Sequence, residues 1–129
     1  MGKEENQNGY MIPGEEGFGQ VQIADEVVAI IAGLAATEVE GVIKMSGNIT
    51  NEIVSKLGMK NLSRCVKVEI IDNLVDVSLS LILRYGVSIP KTSKEVQEKV
   101  KSAIETMTGM TVSEVDIRIA GILMEDEQN

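Results

Sequence analysis

The longest alternating stretch of the chain, VKVEIIDNLVDVSLSLILRYGVSIP from Val66 to Pro90, constrains everything around it. Val66, Val68 and Ile70 alternate with Lys67 and Glu69; beyond Asp72-Asn73, Val75, Val77, Leu79, Leu81 and Leu83 alternate with Asp76, Ser78, Ser80 and Arg84. Side chains along a strand point to opposite faces in turn, so this pattern predicts an antiparallel hairpin with one dry face and one wet face. A dry face of that length needs a cover. Ile71 and Ile82 interrupt the polar register. Either they stand at a strand end and under a loop, or they mark a contact between subunits.

Two amphipathic stretches can supply the cover. Val27, Ile30, Ile31, Leu34 and Ala35 recur at three- and four-residue spacing, and Val28, Ala32 and Val39 widen that face. This predicts a deeply packed helix, capped by Asp25, with Glu26 in its first turn and its end before Gly41. Gly33 in the interior implies close approach of another backbone. Downstream, Thr92 and Glu95 have capping-box spacing, Val96, Val100, Ala103, Ile104 and Met107 form one stripe, and Gly109 stops the helix. Lys94 with Glu98, Glu95 with Lys99, and Lys101 with Glu105 pair opposite charges four residues apart on the far side, a solvated face.

Shorter elements complete the list. Val21 and Ile23 predict a strand with one wet face, Val42 to Met45 a short extended piece, and Ser46-Gly47-Asn48 a turn. Ile49 to Leu57 fits a short helix with Ile53, Val54 and Leu57 inward, and Val115, Ile117 and Ile119 alternate with Glu114, Asp116 and Arg118 in a closing strand from Val112 to Ile122. One apolar face on the sheet and one stripe on each long helix predict an α+β fold: a two-layer α/β sandwich with both main helices on one face of a mostly antiparallel sheet. A ferredoxin-like arrangement fits the element order.

A chain of 129 residues has room for one domain. Residues 1–17 are polar, with one Lys and four Glu, and read as a flexible acidic arm; residues 18–124 form the domain, and 125–129 are an acidic tail. Much of the net charge of −8 lies in those tails, which repel phosphate backbones and anionic lipid surfaces. Tyr10, Phe18 and Tyr85 are the only aromatics, too few for a single-strand stacking platform. The longest apolar run, Val27 to Ala36, is about half of the roughly 20 residues that span a bilayer, so no direct membrane insertion is expected. The first residues lack a secretory apolar core, and Asn6 stands where a myristoylation signal has Ser or Thr, which places the protein in the cytoplasm. Asn48-Ile49-Thr50 and Asn61-Leu62-Ser63 are then chance matches to the glycosylation pattern.

The catalytic inventory is thin. The sequence contains no His, so Ser-His-Asp and Cys-His nucleophile systems are ruled out, and one cysteine without imidazole leaves no zinc site. Cys65 reads as a buried or incidental thiol. Glu38 with Glu40, Asp72 with Asp76, and Glu114 with Asp116 are the carboxylate pairs worth testing; the first diverges around a helix, the second flanks a turn, and Arg118 beside the third implies ordinary charge pairing. Gly14-Glu15-Glu16-Gly17 matches the bare GxxG of a KH loop, but two glutamates there repel a phosphate backbone. No Walker or GxGxxG sequence is present. Lys56, Lys60, Arg64 and Lys67 form the most basic region, either an anion site or a solvated connection. The reading therefore names no catalytic residue, no metal and no cofactor, and offers the wet sheet face, with Lys67, Glu69, Asp76, Ile82 and Arg84, as a candidate interaction surface.

Three stretches together resemble the alkaline shock protein, or envelope stress response, family of Gram-positive bacteria: GQVQIADEVVAIIAGLAATEVEGVIKMSGN (Gly19 to Asn48), VKVEI with the return strand ending RYGVSIP (Val66 to Pro90), and VQEKVKSAIETMTGMTVSEVDIRIAGI (Val96 to Ile122). The resemblance implies a non-enzymatic cytoplasmic protein of cell-envelope homeostasis, working near the inner membrane face. It further implies a homo-oligomer recruited by a membrane-anchored partner. The details around MSGN and YGVSIPK are similar to a subgroup associated with the acetyl-CoA carboxylase step of fatty-acid synthesis, which implies a carboxylase subunit as an alternative partner. A KH-like RNA-binding module is a third, more distant reading.

Overall fold

The computed structural model describes residues 9–12, 17–46 and 65–124. Along the chain run β1 (Gly9–Ile12), β2 (Val21–Ala24), α1 (Asp25–Thr37), β3 (Val42–Ser46), β4 (Val66–Ile71), β5 (Leu74–Arg84), α2 (Ile89–Thr108) and β6 (Thr111–Leu123). β5 is the spine. Along one edge it pairs with β6 over its full length, Leu74↔Thr111 to Arg84↔Leu123. Along the other edge two short strands lie end to end, β4 antiparallel against Leu74–Leu79 and β3 antiparallel against Ser80–Leu83.

Both helices cover the same face of this four-stranded sheet, as the two-layer expectation requires. Val75, Val77, Leu79, Leu81 and Leu83 of β5 are buried beneath them, together with Val28, Ile31, Ala32, Ala35 and Ala36 of α1 and Val96, Val100 and Ile104 of α2. The hairpin between β4 and β5 turns at Asp72-Asn73, where Asp72 takes a left-handed φ of 58°, a conformation that Asp and Asn tolerate better than most side chains.

Several expectations need correction. The strands joined by α2 are direct parallel neighbours, whereas a ferredoxin-like fold splits them with another strand. The split does not arise because β3 and β4 share the opposite edge of β5 and none lies between β5 and β6. Asp25 does not cap α1: Ala24 occupies the cap position with no side-chain bond, because β2 runs straight into the helix and leaves Asp25 as its first residue. Burial there pushes the Asp25 carboxyl pKa up. α2 starts three residues before Thr92, with Ser88 as its cap accepting from the Lys91 amide at 3.3 Å and Pro90 in the first turn. Thr92 is instead buried inside the helix.

Gly109 ends α2 in the left-handed conformation, φ 79°, as its sequence position implies. Within the span read as a flexible arm, Gly9–Ile12 pairs antiparallel with β2, a two-stranded ribbon that the local composition gave no reason to expect. The turn at 47–48, the short helix at 49–57 and the tail at 125–129 lie outside the described residues.

α2 is tied to β6 by side chains as well as by packing. The Glu105 carboxylate accepts from the Val112 amide at 2.9 Å and from Lys101 Nζ at 3.1 Å. Gln97 donates to the Val115 carbonyl at 3.0 Å. Of the three i,i+4 pairs expected on α2, only Lys101–Glu105 closes; Lys99 reaches Glu38, just past the end of α1, at 3.6 Å.

Two outcomes follow from this packing. Leu81→Ala, in the centre of β5, should cost about 2–5 kcal/mol in urea unfolding, and Gly109→Ala about 1–2 kcal/mol for forcing a Cβ into the left-handed region. The Val112 amide and then Lys101 hold the Glu105 carboxyl below its ordinary pKa of 4.5. A depressed carboxyl contributes stability above the unfolded-state value and loses it as pH falls. The stability gap between wild type and Glu105→Gln should therefore narrow as pH drops from about 5 to about 3, read from urea midpoints.

Candidate functional site

The five residues proposed from the sequence all lie on the sheet face away from the helices. Paired residues of neighbouring strands share a face, and Lys67 stands opposite Ser78, Glu69 opposite Asp76, Ile82 between Lys44 and Gly121, and Arg84 opposite Leu123. They do not form one patch. Glu69 and Asp76 join Glu114 in an acidic row across three strands, whereas Ile82 lies six residues further along β5, roughly 20 Å away at strand rise. Asp76 is held by a hydrogen bond from Ser113 Oγ.

Ile82 is half-buried in mid-strand rather than at an end, and a Cβ on Gly121 would come within 3.0 Å of its Cδ1. The absence of a side chain on β6 thus makes room for Ile82 on the otherwise polar face. Ile71, in contrast, does sit at the strand end, 64% exposed. Arg118 closes no ion pair with Glu114 or Asp116 among the described residues, contrary to the charge pairing expected there.

Of the basic region only Lys67 lies in the described residues. Cys65 is a free, half-buried thiol whose pKa burial pushes up, away from the reactive thiolate. Of the GxxG segment only Gly17 is described, and it precedes β2 rather than joining two helices. Among the described residues no group of three His, Cys, Asp or Glu side chains is arranged to hold a metal ion.

The feature that sequence reasoning missed lies on the helix layer. α1 and α2 leave between them an open groove of about 920 Å³, lined by Val27, Ile30, Leu34 and Ala35 on one side and Ser102, Ala103 and Met107 on the other. Val27 and Leu34, expected in the core, are 46% and 38% exposed, and Met107 is 68% exposed. The physical reason is angular: the apolar arc of α1 is wider than one sheet contact can bury, so Val28, Ile31, Ala32 and Ala35 face inward while Val27 and Leu34 turn to the groove rim. That excess width is visible in the sequence, where it is indistinguishable from depth of packing. Carboxylates ring the groove: Glu38, Glu40, Glu95 and Glu98, with Lys99 as the one cation among the described residues of the lining.

This is an α+β domain that offers an acidic-rimmed apolar groove on one layer and a polar sheet face on the other. Over residues 14–124 the chain matches the alkaline shock protein 23 family, described as having a cell envelope-related function, and it belongs to that family. The three sequence stretches resemble the same family. The chain is 39% identical over 105 residues to the uncharacterized protein YqhY of Bacillus subtilis (strain 168), covering 81% of this chain and 78% of that protein. It is 31% identical over 107 residues to YloU of the same organism, covering 81% of this chain and 89% of YloU. A stress response regulator gls24 homolog of Streptococcus pyogenes is 26% identical over 110 residues, spanning 84% of this chain and 62% of that protein. No helix among the described residues is long and apolar enough to cross a membrane.

If Val27, Leu34 and Met107 are surface rather than core, polar replacement costs little. The double variant Leu34→Gln with Met107→Gln should cost about 1–2 kcal/mol in all, less than a core truncation, and should lower the fluorescence of a bound uncharged apolar dye such as Nile red.

Proposed function

We propose that this chain is a non-enzymatic protein of cell-envelope stress response that works through protein contacts, self-associating and docking to partners at the cytoplasmic face of the membrane. The observation that carries this reading is the open groove between α1 and α2, a contiguous apolar surface that includes Val27, Leu34 and Met107. Family membership sets the setting, and the groove supplies the means. We infer that self-association uses the sheet face away from the helices, where Lys67, Glu69 and Asp76 stand at one end and Ile82 and Arg84 towards the other. A membrane-anchored protein fits as the partner in the setting of a cell envelope-related family.

A second reading, regulation of fatty-acid precursor synthesis through a subunit of acetyl-CoA carboxylase, draws on the exposed turn of the YGVSIPK stretch. Tyr85 stands 68% exposed where β5 ends, and Ser88 opens α2 two residues beyond Gly86. A surface aromatic on a tight turn is a ready contact.

Light scattering should give a mass above that of the monomer for the wild-type chain and a smaller one for Ile82→Asp combined with Arg84→Glu, with circular dichroism unchanged. An unaltered mass in that variant moves the contact off the sheet face, and a strict monomer at high concentration removes self-association. For the second reading, carboxylase turnover should change on addition of the purified protein and should lose that response on Tyr85→Ala.

A further inference from the structure

The groove between α1 and α2 has a shape and charge that restrict what it can accept. Its rim on the α1 side runs from Val27 through Leu34 to Glu38, about 17 Å at the rise of an α-helix. On the α2 side the floor is Ser102 and Ala103, small enough for another helix axis to approach to about 8–10 Å. An extended segment placed there would find helix surfaces on both sides and no strand edge to satisfy its backbone N–H and C=O groups; a helix satisfies its own. The geometry selects a helix of about three turns.

Charge selects its kind. Lys99 is already matched to Glu38 across the groove at 3.6 Å, whereas Glu40, Glu95 and Glu98 close no ion pair among the described residues. Lys91 and Lys94 precede them on α2 but do not line the groove. Among the described residues the rim therefore keeps three carboxylates without an ion pair around an apolar floor. A second copy of this chain would bring the same net-negative rim against it, which like-charge repulsion disfavours. A fatty acid or an anionic headgroup meets the same repulsion.

We propose that the α1–α2 groove is the docking site for a basic amphipathic helix of a partner protein, its apolar stripe seated on Val27, Leu34 and Met107 and its Lys or Arg flanks set against Glu40, Glu95 and Glu98. This rests on the reading that the protein acts through protein contacts, and it names the chemistry of the partner. Occupancy of the groove sets a helix beside α1 and α2 and covers the apolar surface between them. Because the anchoring positions recur on one stripe, the partner segment carries aliphatic residues at i, i+3 or i+4, and i+7.

The test uses two stapled, fluorescein-labelled helical peptides of about 14 residues with leucines at that spacing, one flanked by Lys and its twin by Glu. Fluorescence anisotropy with the full chain should show the Lys peptide binding at least tenfold more tightly than the Glu peptide at low salt, with the ratio shrinking as salt is raised. Leu34→Gln with Met107→Gln should weaken the Lys peptide at least tenfold while the chain keeps its circular dichroism and a cooperative unfolding transition. Glu95→Lys with Glu98→Lys should reverse the preference between the two peptides. Equal affinities, no binding, or binding indifferent to these variants overturns the proposal. A fall in the wild-type oligomer mass on Leu34→Gln with Met107→Gln gives the groove to a second copy and overturns it as well. These failures are distinguishable from failure of the broader reading, which is judged by the sheet-face variant and the oligomer mass.

Discussion

The burial of one face of β5 is the interaction on which the rest depends. Val75, Val77, Leu79, Leu81 and Leu83 are all hidden beneath the helices, and each such side chain contributes about 1.5–3 kcal/mol by leaving water. No other described strand buries as many side chains. β3, β4 and β6 all hydrogen-bond to β5, so its backbone is satisfied on both edges, and α1 and α2 come together only because both need the same apolar surface. The side chains that α2 sends to β6, Glu105 to the Val112 amide and Gln97 to the Val115 carbonyl, fix the helix on a strand whose place β5 has already set.

The same arrangement creates the surface assigned to function. Two helices are enough to seal the dry face of the sheet, but the apolar arc of α1 is wider than that seal requires, and what remains turns outward beside α2. Packing therefore uses one strip of α1 and leaves the adjacent strip at the surface. Val28 and Ala32 serve the core, while Val27 and Leu34, one step round the helix, line the groove. A family described as cell envelope-related has in this member a domain with an open apolar groove between helices.

The layer architecture was legible in the sequence because period-two and period-3.6 patterns report directly which side chains leave water. The hairpin about Asp72-Asn73, the burial of β5, the end of α2 at Gly109 and the short strand from Val42 all follow from that signal. What the pattern does not encode is which edge of β5 each strand takes. A strand with one wet face alternates in the same way beside a parallel or an antiparallel neighbour, so the adjacency of β5 and β6 was not readable. Helix starts failed for a local reason: Asp25 and Thr92 are good capping residues, but Ala24 and Ser88 hold the cap positions because β2 continues without a linker and Ile89-Pro90 already has helical backbone. The candidate residues of the wet face do share one side of the sheet, yet they divide between an acidic row at Asp76 and the Ile82–Arg84 end. The groove was missed because a wide apolar arc on one helix, taken alone, looks like deep burial.

Ser46, the last residue of β3, pairs with Ser80, and Val66, the first of β4, pairs with Leu79. β3 thus ends and β4 begins at consecutive rungs of β5. Two strand ends fixed at neighbouring rungs can keep their places for connections of different length, since the entropy of closing a flexible connection grows only slowly, by about 0.6 kcal/mol for each doubling of its length. The edge formed by β3 and β4 is in this sense a splice junction, a point where a chain of this architecture can take up new sequence while the spine, the two helices and the groove stay as they are.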